Sequence, residues 1–151
     1  MKILIDGDAF PKRAREVLLK ASNRLALPLT FVSNKKLPLP ASPLIFSLIV
    51  DLGFNEADNH LADMVQEGDL VITADIPLAD RVVTKGGYAL DYRGEMYTHD
   101  NIKSKLVMRN LMEELRDAGT ITGGPSAYGD KDVRAFADAL NRFLTKHLPK
   151  K

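Results

Sequence analysis

The order of apolar and polar positions divides the chain into alternating short strands and amphipathic helices. Lys2–Ile5 is a mostly apolar run stopped by Asp6-Gly7-Asp8, which predicts a buried strand ending in a turn. Pro11 then opens a helix from Lys12 to about Leu25, with Ala14, Val17, Leu18 and Ala21 on one face. Leu29–Val32 predicts a second strand, ended by Ser33-Asn34, and the proline-rich stretch from Lys35 to Pro43 predicts a loop. Leu44–Val50 is almost continuously apolar, which predicts a third, buried strand. Ala57–Gln66 reads as a helix with Ala57, Leu61, Met64 and Val65 inward. Asp69–Thr73 reads as a strand.

Pro77 to about Lys85 predicts a short helix closed by Gly86-Gly87, and Tyr88–Leu90 a fifth short strand. The remainder reads as mainly helical. Asn101–Ala118 carries Ile102, Leu106, Leu111 and Leu115 and ends at Gly119. Asp130 is expected to cap a last helix with Val133, Phe136, Ala137, Leu140 and Leu144 on its buried side. Strands alternating with helices imply a three-layer α/β fold with a mainly parallel sheet of four to five strands and a helical C-terminal portion. No repeat or hinge divides the 151 residues, so one domain over 1–151 is expected.

Composition narrows the chemistry. There is no cysteine, which excludes thiol catalysis and Cys-ligated metal centres. No apolar run is long enough to cross a membrane, and Asp6 interrupts the start too soon for a signal peptide, so a cytoplasmic location is expected. Net charge is only +1, but it is unevenly spread: residues 37–80 hold eight acids and no Lys or Arg, while residues 1–36 hold eight bases and three acids. Such a chain can fold into an acidic pit with a basic surround.

Open parallel sheets bind ligands at the carboxyl ends of their strands. Asp6 and Asp8 follow the first strand, Asp75 follows the strand ending at Thr73, and Asp58 starts the helix after the third strand. Topology would bring all four to one rim. Two close carboxylates repel by roughly 4 kcal/mol at a surface-like effective dielectric, so the cluster calls for a counter-charge, shifted pKa values or a bound cation. Oxygen ligands suit Mg²⁺ or Mn²⁺. Taken singly, Asp58 and Asp75 also fit as helix caps, and Asp6 and Asp8 as turn formers. Lys12, Arg13, Lys35 and Lys36 begin near the same rim and could hold nucleic-acid phosphates, or simply be solvated. Thr122–Ser126 could offer backbone N–H groups to a phosphate or merely connect helices. His60, His99 and His147 show no metal-ligand spacing, and Asp80 reads as solvated.

Four segments carry a resemblance: Ile5-Asp6-Gly7-Asp8-Ala9-Phe10-Pro11, Phe54-Asn55-Glu56-Ala57-Asp58-Asn59, Thr73-Ala74-Asp75-Ile76-Pro77-Leu78-Ala79 and Thr122-Gly123-Gly124-Pro125. Together they resemble the YaiI/YqxD family of uncharacterised bacterial proteins, over about residues 1–145. That family is similar to PIN-like nucleases, where acids at the ends of the first and fourth strands and on an intervening helix bind Mg²⁺ or Mn²⁺. Carried over by motif, those acids are Asp6, Asp75 and Asp58. The resemblance implies a PIN-like fold, and the leading reading is a metal-dependent phosphodiesterase acting on RNA, with single-stranded RNA as the expected partner and Asp8 ligating the metal or orienting water. The family usually has Cys where this chain has Phe10, and commonly Ala where it has Gly7. Two alternatives stand beside it. One is a non-catalytic RNA- or protein-binding module. The other is a haloacid-dehalogenase-like phosphatase, with Asp6 as nucleophile, Asp8 as acid/base and Asp75 with Asp80 as the final pair; residues 37–74 lack the lysine it needs.

Overall fold

The structure is a computed structural model and describes residues 1–50, 56–119 and 127–148. The Phe54-Asn55 part of one motif and the Thr122–Ser126 loop lie outside the described residues. The described chain runs β1 (Ile3–Asp6), α1 (Lys12–Leu25), β2 (Leu29–Ser33), β3 (Ile45–Ile49), α2 (Glu56–Met64), β4 (Leu70–Ile72), α3 (Ile76–Thr84), β5 (Tyr88–Leu90), β6 (Met96–Tyr97), α4 (His99–Asp117) and α5 (Asp130–His147). Among these residues the strands form one sheet in the order β3-β2-β1-β4-β5-β6. Every pairing is parallel except β5 with β6. This is the expected three-layer α/β, PIN-like arrangement, with one more strand than expected.

Period-two alternation sorts the central strands between two cores. Ile3 and Ile5 of β1, Phe31 of β2 and Leu70 and Ile72 of β4 face one side. There they meet Ala14 and Leu18 of α1 and Phe136, Leu140 and Leu144 of α5. Leu4, Val32 and Val71 face the other side, against Leu61 of α2 and Leu78 and Val82 of α3. Phe10 belongs to the first core and meets Tyr92 edge-on at 5.5 Å between ring centroids. Position 10 is therefore a packing position here.

Four details differ from the sequence reading. Leu44–Val50 gives a strand that is not buried: Phe46 is 54% and Ile49 52% exposed. Among the described strands β3 is the sheet edge and pairs with β2 alone, and Ile45 packs on the first core. β6, a two-residue strand, is too short to show alternation. Asp130 is the first residue of α5 rather than its cap, and its carboxylate meets the Arg13 guanidinium at 2.6 Å. α4 starts two residues early because Thr98 caps it: the Thr98 hydroxyl accepts from the Asn101 N–H, and the Asn101 side chain accepts from the Thr98 N–H. Ile102 is the buried residue of that helix, while Val107, Met108 and Leu111 are exposed. Among the described residues, no helix is long and apolar enough to cross a membrane.

Candidate functional site

The carboxyl ends of β1 and β4 lie side by side in the sheet centre, with Ile5 paired to Ile72. The backbone past each strand end therefore delivers its acid to the same rim. Asp6 ends β1, and Gly7 follows with its N–H on the Val32 carbonyl at 2.8 Å. A methyl group at Gly7 would meet Leu37 Cδ1 at 2.7 Å and the Val32 carbonyl at 3.2 Å. Alanine at this position would require the Leu37 side chain to swing away. The turn then carries Ala9 in the left-handed region at φ 56° before Pro11 starts α1.

Each acid has a defined set of neighbours. Thr73, fully buried, donates its hydroxyl to Asp6 Oδ2 at 2.9 Å and accepts from the Asp75 N–H at 3.0 Å. Thr73 thus links two of the acids, a role that the strand pattern around it does not reveal. Asp8 accepts from the Asn34 N–H at 3.0 and 3.1 Å, which ties the end of β1 to the end of β2. Asp75 caps α3 through the Leu78 N–H at 2.9 Å, with Pro77 in the first turn. Asp58, on α2, is half-buried and, when protonated, donates to Asp75.

Electrostatics show that these four groups feel one another. Burial raises the Asp6 carboxyl to about 6; the Thr73 hydrogen bond opposes this rise, and the charges of Asp75 and Asp8 add to it. Asp58 is raised to about 7, first by burial, then by its hydrogen bond to Asp75 and by the charges of Asp75, Asp6 and Asp8. Asp58 therefore keeps its proton to a pH well above the usual carboxylate range. Among the described residues, the ion pairs between side chains involve other acids: Asp69, Asp130, Asp132, Asp80, Glu95 and Glu113. Nothing cationic among them neutralises the rim cluster directly. Asn34 adds a further signal: its Oδ1 is buried without a hydrogen-bond donor, on the residue whose N–H holds Asp8. As the side chains stand, no group of three or more His, Cys, Asp or Glu among the described residues encloses a point where a metal ion would sit.

The basic candidates divide. Lys35 and Lys36 follow Asn34 at the end of β2 and are exposed, and Lys12 is exposed at the start of α1. Arg13 is engaged with Asp130. Asp80 forms an ion pair with Lys103 of α4 at 3.3 Å. His60 is exposed on α2, whereas His99 and His147, far apart in sequence, line one cavity elsewhere.

Comparison with known proteins agrees with the resemblance carried by the motifs. The family described as "Uncharacterized BCR, YaiI/YqxD family" matches residues 4–146. A UPF0178 protein of Sulfurimonas denitrificans is 52% identical over 150 residues, covering 99% of both chains. One from Maridesulfovibrio salexigens is 51% identical over 148 residues, covering 98% of both. One from Syntrophotalea carbinolica is 48% identical over 148 residues, covering 98% of this chain and 100% of the relative. No solved structure matches significantly. The match spans the strand ends that carry Asp6 and Asp75 and the helix that carries Asp58, and on that extent the chain belongs to the YaiI/YqxD family.

Proposed function

We propose that this chain is a Mg²⁺- or Mn²⁺-dependent phosphodiesterase acting on single-stranded RNA. The observation that carries the reading is the gathering of Asp6, Asp8, Asp58 and Asp75 into one field with, among the described residues, no Lys or Arg in an ion pair with them. Repulsion of this kind is relieved by protons or by a cation. The donor set fits a hard divalent ion: carboxylate oxygens, with an orphaned amide oxygen on Asn34, the residue whose backbone N–H holds Asp8. Asp6 and Asp75 would anchor the ion, Asp58 would complete the set, and Asp8 would orient water from behind. Binding requires the Asp58–Asp75 hydrogen bond to open and Asp58 to lose its proton. When bound, a divalent ion offsets charge on phosphate oxygens and acidifies a water. Lys12, Lys35 and Lys36 would hold the flanking phosphates as point charges.

A second reading rests on the other work these acids do. Asp75 caps α3 and Asp8 holds the end of β2, so both acids fit a binding module without catalysis. One experiment separates the two. Purified protein is incubated with single-stranded RNA and Mn²⁺ at low salt, alongside Asp6→Asn and Asp75→Asn. Cleavage by the parent chain, lost in both variants, supports the phosphodiesterase. Binding without cleavage supports the module, and no binding rejects an RNA partner altogether.

A further inference from the structure

A cavity of about 550 Å³ opens at the end of the sheet opposite the acidic rim. Tyr88, which begins β5 and pairs with Leu70 at the start of β4, marks that end. This volume lies within the range of about 300–1,000 Å³ common for small-molecule sites. Its lining combines two chemistries. Tyr88, Phe143 and His147 form a ring cluster, with Phe143 stacked on His147 at 4.2 Å and Tyr88 at 5.1 and 4.7 Å from the two. Arg142 and Lys146 lie one turn apart on α5, and His99 begins α4. Among the described residues, no acidic side chain lines the cavity. The amino-terminal end of α4 adds the positive end of a helix dipole.

We propose that this cavity binds a nucleoside carrying a terminal phosphate. Arg142 and Lys146 take the phosphate, together with the start of α4, and the exposed side of the aromatic cluster takes the base. Two cations one turn apart match a dianion better than a single carboxylate, and Arg can meet phosphate in a bidentate fork. Aromatic faces accept any base, so the site is tolerant of base identity. The ligand reaches the chain away from the four acids, and its binding does not depend on them.

Calorimetric titration with adenosine 5′-monophosphate, uridine 5′-monophosphate, adenosine and inorganic phosphate tests this. Both nucleotides are expected to bind with Kd below about 1 mM, and adenosine and phosphate at least about tenfold more weakly. Arg142 and Lys146 are exposed, so the double variant R142A/K146A keeps the fold, which its thermal midpoint checks. It should lose at least about tenfold in nucleotide affinity. Tyr88→Leu should weaken both nucleotides by a similar factor, about threefold or more. Asp6→Asn should bind as the parent chain does, whatever the outcome of the cleavage assay. No nucleotide binding at about 10 mM, unchanged affinity in R142A/K146A, or loss of binding in Asp6→Asn would each overturn the proposal. So would adenosine or phosphate binding as tightly as the nucleotides.

Discussion

Replacing Asp6 by Asn should make this protein more stable at alkaline pH, although it removes a side chain central to the candidate site. Moving a carboxyl from 3.8 to about 6 on folding corresponds to roughly 3 kcal/mol. The sign follows from proton counts. Below pH 3.8 the group is protonated in both folded and unfolded chains, and its folded-state penalty is absent. Between 3.8 and about 6 the unfolded chain has released the proton and the folded chain keeps it, so stability falls as pH rises. Above about 6 the whole penalty is felt. Asn keeps an oxygen for the Thr73 hydroxyl, but a neutral acceptor is weaker, which costs about 1 kcal/mol. The net expectation at about pH 8 is a gain of about 1–2 kcal/mol; at about pH 4 it is no gain, or a loss of up to about 1 kcal/mol. Urea unfolding of both proteins at the two pH values, with chelator present, reads this directly, provided the m-values agree. A variant less stable than the parent at alkaline pH, or a difference that ignores pH, would refute the burial penalty, and the smaller repulsion from Asp75 and Asp8, that raise the Asp6 carboxyl.

Three further outcomes are expected. Saturating Mn²⁺ or Mg²⁺ should raise the melting temperature, and Asp75→Asn should blunt the rise; Asn still caps α3 at Leu78, so a blunted response reports on the ion rather than the helix. Asp69→Ala should cost about 2–3 kcal/mol by urea unfolding at neutral pH, because the Lys2 and Gln66 N–H groups lose their acceptor. Those bonds and the Lys2 ammonium lower the Asp69 carboxyl despite its burial, so this contribution is present above 3.8 and fades as pH falls through the lowered value. Replacing Lys35 and Lys36 together by Ala should weaken single-stranded RNA binding across sequences and reduce the salt slope by roughly 0.7 for each phosphate that is no longer neutralised, measured by titration at several salt concentrations.

Much of this architecture is legible in the sequence, for reasons specific to each element. The helix from Lys12 to about Leu25 is recovered, because Pro11 fixes its start and an apolar face runs along it. That Asp6 and Asp75 lie on one rim is legible because strand ends are marked by abrupt polarity changes and parallel topology sends those ends to one side, whereas Asp58 reaches them from helix α2. β3 misleads because a continuous apolar run signals burial on both faces, and edge position is a property of the whole sheet. The exposure of Val107, Met108 and Leu111 escapes the reading for the same reason: periodicity says which face is apolar, not whether anything covers it. Thr73, Asn34 and the His99–His147 cavity depend on contacts between distant segments, which local pattern does not encode.

The position of β1 and β4 has a consequence for how the site can move. Each is hydrogen-bonded on both sides, whereas β3 and β6 have one neighbour among the described strands. Native-state opening is therefore expected to begin at the two outer strands, and amide exchange to be slowest in the middle of the sheet. Asp6 ends one of these strands, and Asp75 follows the other by three residues, held to it through the Thr73 hydroxyl. Backbone breathing gives their mutual repulsion no outlet, because separating them means breaking the most protected ladder in the protein. The rim must respond through what is light and quick: a proton on Asp58, a side-chain rotation, or an arriving ion.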